Sequence, residues 1–328
     1  VPDDPVITWL LDSDPALRWQ VLRDLLDAPD PVWRAEQARV ATSGWGAELL
    51  SRQDPDGQWA GGAFVPAGFT AADWQAEGQP WTATCFALDQ LREFGLDPDS
   101  APARRTIALV AANSRWDHAR QPYFDGEVEE CINGRLVAHG SWFGVDLSPV
   151  IARLVAEQQP DGGWNCERAN GSARSSFHST INVLEGLLEF ERATGGTPES
   201  RVARQAGEEF LLRRGLFRRL ATGEPADPAF LDLLHPERWR YTVLRALDHF
   251  RAAGVLTGAP PDPRLADAIA HVTSRRLPDG RWPLDGTPAG RAWLQLDDGP
   301  GLPSRWVTLK ALRVLRWWAP GPTGSGTG

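Results

Sequence analysis

Apolar positions along the chain recur with the spacing of helices, and two kinds of helix alternate. Five segments share one register, x-x-x-x-Leu-x-x-Leu: Arg18 to Leu25, Thr84 to Leu91, Thr180 to Leu187, Arg240 to Leu247 and Arg305 to Leu312. Leucines three apart, with further apolar residues around them, give a helix a broad buried face. A sixth segment, Ile132 to Gly140, fits more loosely. Between these lie more polar amphipathic stretches, around residues 32–52, 101–113, 145–158, 199–214 and 262–276. No sustained period-2 alternation marks a strand. The pattern predicts an all-α chain of stacked helical hairpins, one set of helices more apolar than the other.

Three of the polar helices are predicted to end in the same way. Pro-Asp-Gly-x-Trp follows Trp45 to Gln53, Val150 to Gln158 and Leu265 to Arg276, placing tryptophans at 59, 164 and 282. Proline presets φ, Asp bonds its own backbone and Gly takes the conformation other residues avoid, so each copy is a turn. The tryptophan is expected to fold back on the helix, and the glutamine before the turn to bond loop backbone orphaned at the helix end. Six apolar helices spaced roughly 9–10 Å apart can close into a hexagon of about the same radius. A hole several ångströms wide is then left on the axis, to be plugged by side chains or to hold a ligand.

Composition narrows the partners. The 328 residues carry a net charge of −9, which argues against nucleic acid or an anionic membrane surface as the main partner. No apolar run is long enough to span a bilayer and no signal-peptide pattern is evident, so a cytoplasmic protein is expected. Three cysteines, Cys85, Cys131 and Cys166, do not make a disulfide framework. Lys310 is the only lysine and sits in an apolar helical pattern, which counts against a catalytic lysine. The 16 tryptophans need a packing or ligand-binding reason.

Gln-x-x-Asp-Gly-x-Trp, complete at Gln53–Trp59 and Gln158–Trp164 and with Arg276 in the glutamine place of the third copy, resembles the QW repeats of squalene cyclases. Those proteins share the α/α toroid superfamily with the β subunits of protein prenyltransferases. The resemblance covers roughly residues 30–318 and implies an α/α6 toroid, a barrel of inner helices surrounded by outer ones. Residues 1–318 are read as one such domain, and 319–328 as a flexible Gly/Pro-rich tail. It further implies a terpene cyclase-like or prenyltransferase-like protein holding an isoprenoid or other apolar ligand, by acid or zinc-assisted chemistry. The alternative is a non-catalytic toroid that binds or scaffolds. Two departures bear on this. The Asp-x-Asp-Asp acid motif is absent, the nearest stretch being Gln295-Leu296-Asp297-Asp298, and the basic residues that clamp a diphosphate are missing from Phe124 to Val128.

The candidate residues follow from position and chemistry. Asp125, Glu129 and Glu130, with Glu127, form an acidic cluster without a basic partner in sequence, and Asp297 and Asp298 precede the last apolar helix. In a dry cavity one of these would have a raised pKa and act as a general acid; otherwise they are solvated loops. Trp81, Phe177, Trp239, Tyr241 and Trp306 stand near the starts of apolar helices, where they line a cavity or plug it. Arg238 and Arg305, like Arg18 and Arg240, sit at the same starts and either bind an anion or tie neighbouring repeats together. By resemblance to the prenyltransferase zinc site, Glu129, Cys131 and His178 are expected as zinc ligands, with Cys166 as an alternative thiolate.

Overall fold

The computed structural model describes residues 4–319. These are all-helical, and apart from isolated bridges no strand occurs among them. The chain runs α1 (Pro5–Leu11), α2 (Pro15–Asp24), α3 (Asp30–Ala38), α4 (Gly44–Ser51), α5 (Ala71–Glu77), α6 (Thr84–Phe94) and α7 (Ala101–Asn113). It continues through α8 (Glu130–Trp142), α9 (Ser148–Ala156), α10 (Phe177–Thr194), α11 (Pro198–Leu212), α12 (Val243–Thr257), α13 (Ala266–Ser274) and α14 (Arg305–Trp318). The expected tail lies, from residue 320 on, outside the described residues.

The Leu-x-x-Leu segments become α2, α6, α10, α12 and α14, and the looser sixth becomes α8. Local chemistry sets their ends. Asp14, Ser176, Thr242 and Ser304 cap N-termini through side-chain oxygens, and Gly95, Gly195 and Gly258 close C-termini in the left-handed conformation. Because Thr242 is the cap, α12 begins three residues later than its pattern suggests, and Arg238 to Tyr241 belong to the preceding loop.

The repeated turn has the same geometry in all three copies. The indole N–H of Trp59 donates to Leu49 O at 2.8 Å, that of Trp164 to Leu154 O at 2.7 Å and that of Trp282 to Val272 O at 2.7 Å. Each thus bonds a carbonyl near a helix C-terminus, where the helical ladder runs out of donors. Each tryptophan's backbone N–H donates to a threonine at the start of the next apolar helix: Thr84, Thr180 or Thr308. Gln53 and Gln158 donate to Gly57 O (2.8 Å) and Gly162 O (2.6 Å). Arg276 replaces the missing glutamine, its Nε donating to Gly280 O at 3.1 Å.

The apolar helices touch one another in the order α2, α6, α8, α10, α12, α14, and α14 returns to α2. The polar helices pack against them from α3 and α4 through α9, α11 and α13. The most intimate pair is α8 with α10. A Cβ added at Gly134 would lie 2.6 Å from the Asn182 backbone, and one at Gly186 would lie 2.3 Å from Gly134 O. Two backbones approach there because neither helix carries a side chain at the crossing.

Candidate functional site

A cavity of about 580 Å³ is lined by side chains from α2, α6, α8, α10, α12 and α14, and by the loop residues Pro236, Glu237 and Arg238. Most of the lining comes from the middle and C-terminal turns of these helices. At the other end, Trp81 and Phe86 meet edge-to-face at 5.0 Å between ring centroids, and Phe64 and Trp239 pack on them.

The wall is built of charge, which differs from the apolar lining expected. Nine arginine and lysine side chains face seven carboxylates. They pair between helices: Arg135 of α8 with Asp89 of α6, Arg245 of α12 with Glu185 of α10 at 2.6 Å, and Arg92 of α6 with Glu189 of α10 at 3.3 Å. Arg313 of α14 joins Asp248 of α12 to Asp24 of α2. Lys310 reaches Glu237 at 2.8 Å and Glu93 at 3.1 Å. Burial opposes the charged forms, but the partners outweigh it, holding Asp89 and Asp248 below the usual carboxylate range and raising Lys310.

Arg238 is the exception. It is 6% exposed, yet among the described residues its guanidinium enters no salt bridge and donates no hydrogen bond. Burial, and then the nearby Arg135 charge, pulls its pKa down to about 10. Its backbone is held at φ +58°, a conformation side chains rarely adopt, and its carbonyl accepts from Arg135 and from Arg245. Gln90 and His249 of the same lining also carry buried polar atoms without protein partners.

A second cavity, about 330 Å³, is lined by Ser13, Trp45, Gln295, Leu296, Asp297, Asp298, Pro303 and Arg305. Between the two lies buried His235. His235 Nδ1 lies 2.9 Å from Asp297, its Nε2 lies 3.5 Å from Glu93, and the ring stacks on Trp306 at 4.9 Å. Burial opposes charging His235, but the Glu93 and Asp297 carboxylates raise its pKa above the ordinary value.

Of the candidate site residues named from sequence, only Arg238 lines the larger cavity; Asp297, Asp298 and Arg305 line the smaller. Asp125 and Glu129 are exposed, and buried Glu130 pairs with Arg168 at 2.6 Å, so these acids do not face the larger cavity. The aromatics fill space. Phe177 sits among Phe210, Phe230 and Tyr241; the Tyr241 hydroxyl donates to Leu216 O; Trp81 N–H donates to Ala289 O at 2.8 Å. Trp239 packs edge-on against His178 at 5.2 Å and buried Trp306 against Trp45. Arg305 Nε donates to Trp9 O at 3.3 Å.

The zinc set in the form implied by resemblance does not assemble. The donor atoms of Glu129, Cys131 and Cys166 lie within 4.8 Å of one another, and among the described residues His178 is not in that group. His178 Nδ1 instead accepts the Tyr241 backbone N–H at 2.8 Å. The Cys131 thiol is pushed up by its contact with Cys166, by burial and by Glu129, and it donates toward Glu129 at 3.5 Å.

The cavity lining escapes a reading that follows only apolar residues, although a signal for it exists. The position just after the first leucine of each register is charged in all five segments: Arg23, Asp89, Glu185, Arg245 and Lys310. In α8 it is Arg135, just before Leu136. All six face the cavity. No family model matches the chain, and the search of curated proteins finds no match.

Proposed function

We propose that α2, α6, α8, α10, α12 and α14 are the inner ring of a closed α/α6 toroid, and that the cavity they line binds a small polar molecule. The cyclic order of helix contacts supports the ring, as do ion pairs that reach past a neighbour, from α6 to α10 and from α14 to α6. The observation that carries the ligand reading is the charged wall. A hydrocarbon chain laid on it would strip water from ions without bonding to them, at a cost of several kcal/mol per ion. An isoprenoid is therefore the poorer occupant, and the related cyclase and prenyltransferase chemistries are set aside in favour of polar-ligand binding. Thermal melts test this with two panels, isoprenoid alcohols and small polar metabolites. A saturable rise in Tm with a polar compound supports the reading; a response to the isoprenoids alone overturns it.

Catalysis is the second reading, favoured by His235, which bonds Asp297 of the second cavity and stands 3.5 Å from Glu93 of the first without a hydrogen bond at its Nε2. A titratable path of this kind would carry a proton between a cavity-wall carboxylate and the second cavity. Ligand turnover lost in His235→Asn with binding retained supports it; equal turnover in both proteins removes it. Zinc, if held, would sit on Glu129, Cys131 and Cys166, two thiolates and a carboxylate with a fourth position open. Elemental analysis checks this: one equivalent of zinc, lost in Cys166→Ser and retained in His178→Asn, is the expected result.

A further inference from the structure

Burying an arginine without an anionic partner is costly, and a fold that keeps one needs a reason. Arg238 is such a residue, and it lies on the wall of the larger cavity, where every other arginine or lysine has a carboxylate. The charges that act on it are Arg135, already committed to Asp89, and then the Glu93 and Asp89 carboxylates, none of which it bonds; its guanidinium lies over the Trp81 ring, 5.4 Å from the centroid. Arg135 acts on Arg238 as a like charge, and Arg238 has no carboxylate partner, so this part of the wall carries an unmatched positive charge inside a chain whose net charge is −9. That charge is fixed in place. The Arg238 carbonyl is gripped by Arg135 and Arg245, and the left-handed backbone holds the residue against the wall. Here anchoring and charge both point at a ligand.

We propose that the cavity recognises an oxyanion, a phosphate or carboxylate group of a small molecule, and that Arg238 is the residue that binds it. The proposal rests on the cavity being the binding site and names the class of ligand it takes. The planar guanidinium fork matches two oxygens of either group, and in a site sheltered from water each charge-assisted bond is stronger than at a surface. Arg135, held by Asp89, adds attraction without having to move. An anion there offsets the charge that the fold leaves unmatched, so the liganded protein is more stable than the free one.

The test is a set of thermal melts of the whole chain at constant ionic strength, with inorganic phosphate, pyrophosphate and citrate as probes and sodium chloride as the reference salt. Wild type is expected to show a saturable rise in Tm of roughly 3–5 °C with at least one probe. Arg238→Gln is expected to melt no lower than wild type without probe, because it removes an unpaired buried charge, and to lose most of the shift. Arg238→Lys keeps the charge without the fork and is expected to bind about tenfold more weakly. A response to the phosphates alone identifies a phosphoryl ligand, and one to citrate alone a carboxylate; either supports the shared chemistry. No saturable shift with any probe, or an equal shift in Arg238→Gln, overturns it. Ala252→Trp, which narrows the cavity from α12, separates the two readings. If the anion shift survives that substitution, the cavity itself is the wrong site. If a cationic or neutral polar compound gives a shift that Ala252→Trp abolishes while anions give none, the cavity stands and the oxyanion falls.

Discussion

His178 shows how one residue's surroundings decide its chemistry. Burial, and then the Arg245 charge, lowers its pKa from 6.5 to about 4, while its Nδ1 accepts the Tyr241 N–H. The unfolded chain therefore takes up a proton near pH 6.5 and the folded one near 4. Stability from this group is complete above the first value and is lost as the pH falls through that window, by up to about 3 kcal/mol. Denaturant melts at neutral and acid pH check this. His178→Asn, whose Oδ1 can accept the same bond, is expected to remove that part of the acid loss. The glutamine of the repeated turn is a second case. Gln158 donates to Gly162 O and to Ala203 O of α11, so Gln158→Leu leaves Gly162 O unpaired, cuts the tie to α11 and is expected to cost about 1–3 kcal/mol. The roles of Gln158 and Trp164 are legible in the sequence because the turn repeats. The role of His178 is not, since its partner Tyr241 lies far along the chain and nothing local marks the pair.

Among the elements, five of the cavity helices are legible from Leu-x-x-Leu, whereas α8 fits the register only loosely. The structure supplies the reason. Gly134 of α8 and Gly186 of α10 let two backbones meet, so small residues stand where a leucine contact would otherwise form. Gly186→Ala would drive a Cβ to 2.3 Å from Gly134 O. Neither helix can yield without moving its neighbours, so a loss of about 2–3 kcal/mol or more is expected in a denaturant melt. The loops are the least legible elements. The segment from 283 to 304 packs on the 79–83 segment through Trp81 and Trp293, which bond Ala289 O and Thr82 O. Contacts across some 200 residues leave no periodic trace in sequence. They anchor Trp81, just before α6, to a loop late in the chain.

The whole molecule joins its first and last repeats through charge. Arg313 of α14 holds Asp248 of α12 and Asp24 of α2, and Arg316 donates to Asp24 O at 3.0 Å. Arg313→Met would leave two buried carboxylates with less compensation, and a loss of about 3–5 kcal/mol is expected, read from the midpoint of unfolding. The closed ring and its oxyanion site are tested together by anomalous diffraction from crystals grown with tungstate. The expected result is α14 against α2 and a tungsten peak inside the ring beside the Arg238 guanidinium. Helices α2 and α14 standing apart, or Arg238 paired with a carboxylate and no peak near it, would contradict it.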